Sequence, residues 1–338
     1  MPPMRAAEDS VRWQTAALAA LLALAAGTAA AEGAREWLLG MGAAVQALNY
    51  SGVLVYQHDG RLEVMRLLHR VDEEGEHERI LSLNGPPREV IRDPRKVTCI
   101  LPDARAVVVE KRRPGRSFPG VLPLDLARIE RHYALELEGS DRIAGRRARV
   151  VLVRARDGYR YGYRFWVDEA TRLPLKFEVL DEQGRPVEQM MFTQVDIGID
   201  IPAAALRPAQ DAAGFTWYAG KDGSGEGSSS SSLPEAGQWV VTRMPPGFEV
   251  RRHDLRRLPM STFLVEHFML SDGLASVSVY VDRPDSEEGF MEGLTRMGAM
   301  SAYGAVIQGY QVTAVGEVPP ATVELVARHV RRVQEARP

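Results

Sequence analysis

The sequence predicts an α+β protein of two domains, in which a large, mostly antiparallel sheet with covering helices is followed by a smaller α+β domain. Between residues 51 and 201, short runs of alternating apolar and polar residues are separated by turn-forming residues. A stretch rich in glycine and serine then interrupts the chain, and beyond it strand-like and helix-like apolar spacings alternate. With 338 residues the chain is long enough for two such domains.

The first 31 residues have the pattern of a secretory signal peptide. Arg5 and Arg12 precede the apolar block WQTAALAALLALAAG, and the small residues Ala29 and Ala31 follow it. This order of charge, apolar block and Ala-x-Ala site predicts export and cleavage after Ala31. A retained membrane anchor is the alternative, but it needs about 18 to 20 continuous apolar residues, and the block is shorter.

The first domain is expected over residues 32–215. Trp37, Met41, Val45 and Leu48 recur at helical spacing, which predicts an amphipathic helix at its start. The turn-forming stretches QHDGR, DEEGE, NGPPR, RDPRK, ARDGY and DEQGRP follow, as is typical of antiparallel strands joined by short connections. The stretch RRPGRSFPGVLPLDLARIERHYAL is rich in proline before it turns helical, so we expect a covering loop and helix there.

A flexible linker is predicted for residues 216–237, because GKDGSGEGSSSSSLPEAG lacks apolar periodicity. Gly223, Gly225 and Gly227 could suggest a phosphate-binding loop, but such a loop needs a preceding strand and a following helix. The sequence predicts neither, so the domain boundary is expected here.

The second domain is expected over residues 238–338. In TFLVEHFMLSDGLASVSVYVD two strands surround a Ser-Asp-Gly turn, and AVIQGYQVTAVGEV predicts another strand. Between them, Phe290, Leu294 and Met297 have the spacing of one helix face. A last helix is predicted from Pro320, which suits a first helical turn. Its apolar stripe comprises Val323, Val326, Val330 and Val333.

The sequence gives no pattern typical of an enzyme, a metal site or a cofactor site. Its seven histidines are scattered, HERIL lacks the second histidine of a zinc helix, and no Gly-x-Ser-x-Gly elbow occurs. The single Cys99 cannot form an intramolecular disulfide and is expected to be inert. A net charge of −3 gives no reason to expect nucleic acid as a partner. We therefore predict a binding protein without catalytic residues or cofactors.

Apolar side chains on the predicted strands are the main candidates for a binding site. In NYSGVLVYQHDG, Val53 and Val55 point to one side of a strand, whereas Leu54 and Tyr56 point to the other. Such a side can line a cavity for a hydrophobic ligand or fill a core beneath helices, and periodicity leaves both interpretations open. The candidate lipid-binding residues are Val53, Val55, Tyr161, Tyr163, Phe165, Val167, Leu175, Phe177 and Val179.

Four arginines in RRHDLRR are the candidates for a partner-binding surface: Arg251, Arg252, Arg256 and Arg257. Arginine recognises carboxylates and phosphates through paired donors, so the segment fits a protein partner or an anionic lipid headgroup. A solvated loop without a partner is the alternative.

Five stretches, in the same order in both domains, resemble the MucB/RseB family of periplasmic regulators of the sigma-E (AlgU) envelope-stress pathway. They are NGPPREVI at 84–91, RYGYRFWVDEATRLPLKFEVLDEQGRPVEQ at 160–189, MPPGF at 244–248, LSDGLASVSVYV at 270–281 and VGEVPPATVELVARHV at 315–330. The resemblance covers essentially the whole chain after the predicted signal peptide.

This resemblance implies a first domain shaped as a half-barrel, similar to the lipoprotein carriers LolA and LolB. It also implies that the chain binds the periplasmic segment of a membrane anti-sigma factor such as RseA or MucA and shields it from regulated proteolysis. Lipid-bearing envelope components such as lipopolysaccharide are expected to displace it. The alternative function is a periplasmic lipid or lipoprotein carrier without a regulatory role, and the oligomeric state, including a homo-oligomer, stays open.

Overall fold

The computed structural model describes residues 33–112, 125–209, 212–219, 238–257, 264–283 and 290–333. The predicted signal peptide lies outside the described residues, as does the predicted linker apart from 216–219. The predicted fold class is confirmed, because a large antiparallel sheet with a few helices is followed by a smaller α+β unit. Within the described ranges no helix combines the length and the apolar character needed to span a bilayer.

The first sheet has twelve strands in the order β12-β6-β5-β4-β3-β2-β1-β11-β10-β9-β8-β7. Neighbouring strands are antiparallel, except that β12 runs parallel to β6. The strands are β1 (Tyr50–His58), β2 (Arg61–Asp72), β3 (Gly75–Ser82), β4 (Glu89–Arg92), β5 (Lys96–Leu101), β6 (Ala106–Lys111), β7 (Tyr133–Ile143), β8 (Arg146–Ala155), β9 (Gly162–Asp168), β10 (Pro174–Leu180), β11 (Pro186–Ile197) and β12 (Thr216–Ala219). The segment predicted as a linker therefore begins with four residues that belong to this sheet.

Two helices pack on the first sheet. Helix α1 spans residues 33–47, where the apolar spacing predicts it, and helix α2 spans Leu126–Ile129. A short 3₁₀ helix, Ala203–Leu206, follows β11. The buried residues that α1 and α2 contribute beneath β8 and β9 are Ala34, Leu38, Met41, Leu126 and Ile129.

The second unit contains a six-stranded sheet in the order β14-β15-β16-β19-β18-β17 and a two-stranded sheet of β13 and β20. Its elements are β13 (Trp239–Val241), β14 (Glu249–Arg257), β15 (Leu264–Ser271), β16 (Ser276–Asp282), β17 (Gly293–Met297), β18 (Met300–Ile307), β19 (Tyr310–Glu317), α3 (Pro320–Arg328) and β20 (Val330–Arg332). Helix α3 packs on the larger sheet and buries Val323 and Val326 in a core that includes Val279 and Val312.

Two predictions for the second unit are wrong. The segment predicted as a helix from Phe290 to Met297 contains strand β17, which pairs with β18. Helical spacing of apolar residues is misleading there because Leu294 and Met297 are exposed and pack into no core. The last helix ends at Arg328, not Val333, because the next residues pair with β13.

Candidate functional site

One side of the first sheet carries a continuous row of apolar side chains. The strand registers place Phe165 beside Phe177, Phe177 beside Met190, and Met190 beside Tyr56. Side chains directly opposite each other on neighbouring strands point to the same face of a sheet. The rings of Phe165 and Phe177 lie 6.5 Å apart. We call this side the apolar face; its central residues are Tyr161, Tyr163, Phe165, Phe177 and Val179.

The apolar face is covered by other parts of the chain. Tyr161, Tyr163, Phe165, Val167 and Val179 are all buried in one cluster with side chains from α1 and α2, and Phe177 is partly buried against it. Burial raises the pKa of the Tyr161 hydroxyl. These six predicted lipid-binding residues therefore lie together, but in this structure they form a core and not an open cavity.

The other three predicted lipid-binding residues lie elsewhere. Leu175 is in a second buried cluster with Leu54 and Phe192, and it lies beside an irregularity in the pairing of β10 with β9 between Pro174 and Lys176. Val53 and Val55 are half-buried and belong to neither cluster. From β1, Leu54 and Tyr56 lie opposite apolar residues of β11 instead.

A turn of the second unit lies on the apolar face. Gly298 and Ala299 connect β17 to β18, and Ala299 is completely buried in the cluster that contains the apolar face. The Ala299 backbone N–H donates to Glu188 Oε1 at 2.6 Å, and the Gly298 N–H donates to Asp59 Oδ2 at 2.6 Å. The Tyr56 hydroxyl donates to the other oxygen of Glu188 at 2.6 Å. We call this set the turn contact.

The backbone of the turn itself explains the glycine at position 298. Gly298 has a φ of +58°, which residues other than glycine rarely adopt. A Cβ atom there would lie 2.2 Å from Glu188 Oε1. Position 298 therefore combines a left-handed backbone with close approach to the carboxylate that holds the turn.

A second contact between the units contains fully buried charges. Arg160 Nη1 lies 3.1 Å from Asp272 Oδ2, and both side chains are completely shielded from solvent. The Tyr133 hydroxyl donates to the same Asp272 oxygen at 3.3 Å, and Arg160 Nη2 donates to the Pro246 carbonyl at 2.5 Å. Burial raises the pKa of Tyr133 well above its ordinary value. We call this set the charged contact.

Asp272 also shapes its own turn. Its Oδ1 accepts hydrogen bonds from the N–H groups of Leu274 and Ala275, both at 2.8 Å. The predicted Ser-Asp-Gly turn is thus present between β15 and β16, and the same carboxylate faces the first unit. Thr322 adds a further link, because its hydroxyl donates to the Tyr159 carbonyl at 2.5 Å.

The four candidate partner-binding arginines lie on β14, an edge strand of the six-stranded sheet. Arg251 and Arg252 are exposed, and Arg251 Nη1 lies 3.6 Å from Glu249. The backbones of Arg256 and Arg257 pair with Val265 and Leu264. This segment is therefore a strand paired on one side with β15, and not a loop.

Sequence reasoning missed the residues that join the two units, namely Tyr133, Arg160, Glu188, Asp272 and Ala299. Arg160 and Asp272 both lie in stretches that carry the family resemblance, but nothing in one sequence indicates that they meet. Ala299 follows the segment that was predicted as a helix, so its turn was not predicted.

Among the described residues, no group of three or more His, Cys, Asp or Glu side chains is arranged to hold a metal ion. Cys99 is half-buried, and burial raises the pKa of its thiol, which lowers the thiolate fraction on which reactivity depends.

Comparison with known proteins gives similarity over nearly the whole chain. The model of the MucB/RseB N-terminal domain matches residues 33–210, and that of the MucB/RseB C-terminal domain matches residues 234–331. The Pseudomonas aeruginosa protein named sigma factor AlgU regulatory protein MucB is 32% identical over 321 residues, which is 93% of this chain and 95% of the relative. The sigma-E factor regulatory protein RseB of Salmonella typhimurium is 30% identical and covers the same shares.

Solved structures agree with this similarity. The complex of Pseudomonas aeruginosa MucA and MucB contains a chain that is 28% identical, with a TM-score of 0.67. The alignment covers 89% of this chain and 99% of that chain. A crystal structure of MucB alone aligns over 89% of this chain and 98% of its own, with a TM-score of 0.62 and the same identity.

Proposed function

The chain belongs to the MucB/RseB family, and we propose that it is a periplasmic negative regulator of sigma-E signalling that binds the periplasmic segment of a membrane-bound anti-sigma factor. The observation that carries this proposal is the similarity to MucB across both units, together with a similar MucB structure that holds MucA. In this function the bound segment is shielded from regulated proteolysis. The predicted signal peptide supports a periplasmic location.

Strand β14 is the surface that we propose for part of the partner contact. Edge strands bind extended peptides through free backbone groups, and exposed side chains then add specificity. Val250 and Leu255 are exposed apolar residues on this strand, and the exposed Arg251 and Arg252 suit carboxylates of a partner. An acidic, extended segment of the anti-sigma factor fits this combination.

The apolar face is the site that we propose for sensing lipid. Burying one methylene group contributes about 0.8 kcal/mol, so about ten methylenes of an acyl chain supply roughly 8 kcal/mol before ordering costs. Shifting a two-state protein from mostly bound to mostly released takes about 5.5 kcal/mol of differential binding. One or two acyl chains are therefore sufficient, provided that they bind the released form preferentially.

Titration calorimetry of the mature protein with the periplasmic segment of its anti-sigma factor tests the proposal. We expect a saturable complex, and the absence of binding between the two folded components would overturn the function. Replacing the four β14 arginines by alanine should weaken binding about three- to tenfold, with a reduced salt dependence, because exposed charges contribute modestly. The matched control is Arg147→Ala with Arg185→Ala, which removes exposed charges from the first unit. Equal affinity of both variants would exclude β14 from the interface.

A sigma-E reporter separates regulation from lipid transport in cells. Deletion of the gene should raise reporter activity if the protein restrains anti-sigma proteolysis. Mislocalised lipoproteins without such a rise would support the carrier function instead.

A further inference from the structure

We propose that the Gly298–Ala299 turn is an intramolecular occupant of the lipid site, and that the ligand which replaces it is an acyl chain whose head carries an N–H donor. This inference rests on the proposed lipid-sensing function and names its regulation and its ligand class. Turn docking and ligand binding would then exclude each other.

The turn buries an alanine side chain in the cluster that contains the apolar face. Ala299 places a methyl group, with no exposed surface, in the same cluster as Tyr161, Tyr163 and Phe165. Phe177 and Leu274 pack against this cluster. An apolar chain that reaches these aromatic side chains must take the volume that Ala299 fills, because protein interiors are close-packed.

The turn is joined to an exposed edge strand of the second unit. All five residues of β17 are exposed, and this strand pairs on one side with β18. Leu294 and Met297, large apolar residues that flank the turn on β17, are about half exposed or more. Segments with few buried contacts and an exposed ladder open at low free-energy cost. Strand β17 and the turn are therefore suited to leave the face while β18 stays paired with β19.

The turn also supplies hydrogen-bond donors to two carboxylates of the first unit. Two carboxylates, on Glu188 and Asp59, accept N–H donors from the turn at 2.6 Å each. When the turn leaves, Glu188 keeps the Tyr56 hydroxyl, but both carboxylates lose an N–H donor. A replacement ligand satisfies them with an amide or amine N–H next to its acyl chain, whereas an anionic head would be repelled. The site thus favours amide-linked or amine-bearing acyl chains over free fatty acids.

Two glycine variants of the full mature chain test the exclusion. Gly298→Ala drives a methyl group into Glu188 and should keep the turn off the face. Gly309→Ala is the matched control, because Gly309 also has a left-handed backbone, at the opposite end of β18, but a Cβ there meets nothing within 4 Å. Calorimetry with N-lauroylethanolamine should give at least about tenfold higher affinity for Gly298→Ala than for the unmodified chain, and no change for Gly309→Ala. Laurate, with the same chain and a carboxylate head, should bind more weakly to all three.

Thiol labelling provides a measurement that does not depend on the glycine variant. In a chain with Cys99→Ser, the thiol introduced by Ala299→Cys is buried while the turn is docked. Saturation with N-lauroylethanolamine should increase its labelling rate several-fold. The exclusion would be overturned if the bound probe left the labelling rate unchanged or if both glycine variants bound it with equal affinity. The proposed ligand class would be overturned if the probe bound no more tightly than laurate. If no probe bound at all, the whole proposal would be overturned. These measurements omit the anti-sigma segment, so a chain that binds that segment but fails here retains its proposed function.

Discussion

The charged contact and the turn contact join the same two units with different chemistry. Arg160 and Asp272 meet as full charges without solvent access, supported by Tyr133. The turn contact places one methyl group and two backbone N–H groups on the first sheet, and the acceptors of these N–H groups are the carboxylates of Glu188 and Asp59. The two contacts therefore respond differently to being opened.

Removing one partner of the charged contact leaves a buried charge with fewer partners, which costs far more than the pair itself contributes. Opening the turn contact leaves carboxylates that a ligand donor can satisfy, above a face that an acyl chain can cover. In the mechanism that we propose, the charged contact keeps the units together and the turn contact is exchanged for a ligand.

The largest effect should follow from removing the charged contact. Asp272→Ala removes one of the two carboxylates that pair with the buried Arg160, and we expect a loss of about 3–5 kcal/mol in the free energy of unfolding. Urea unfolding followed by tryptophan fluorescence measures it. Glu136→Ala is the control, because the Arg154–Glu136 pair is exposed and should contribute less than about 1 kcal/mol. Similar losses for the two variants would contradict the role of the charged contact.

A smaller effect is expected at the turn contact. Glu188→Ala removes the acceptor of the Tyr56 hydroxyl and of the Ala299 N–H, and hydrogen bonds to charged groups contribute about 1.5–3 kcal/mol. The same urea measurement should show a loss in this range, below that of Asp272→Ala. Glu182→Ala, at an exposed position in the turn between β10 and β11, should change stability by less than about 0.5 kcal/mol. A Glu188 variant as costly as Asp272→Ala would remove the distinction between the contacts.

The elements that local patterns specify were predictable, and the contacts between the units were not. Alternation and turn residues predicted the hairpin of β1 and β2, and helical spacing predicted α1, because each depends on neighbours along the chain. Strand β17 was missed because its pairing with β18, and not burial of Leu294 and Met297, determines its conformation. Leu175 belongs to the cluster of Leu54 and Phe192 and not to the one against which Phe177 packs, a division that strict alternation does not reveal.

The candidate site was also predictable only where it depends on local patterns, and its long-range contacts were not. Six aromatic and aliphatic residues were correctly placed together, since period-two alternation on β9 and β10 puts them on one face. Arg160 and Asp272 are 112 positions apart in the sequence, and Glu188 and Ala299 are 111 positions apart. No local signal in a single sequence links such residues, so only the tertiary arrangement reveals which charges hold the units together.

The smallest effect, a pH dependence, should also distinguish the two contacts. His132 lies against Gly247 near the charged contact, and burial, followed by the charge of Arg160, lowers its pKa below the ordinary value of 6.5. The unfolded chain then binds more protons than the folded chain below pH 6.5, so stability is full above that pH and declines as the pH falls. His132→Gln should reduce this decline in urea unfolding between pH 7 and pH 5. The pKa of the buried His69 is also lowered, but its contribution is present in both proteins and cancels in the comparison. A pH dependence that is unchanged by His132→Gln would show that the charged contact does not disfavour protonation of its neighbour.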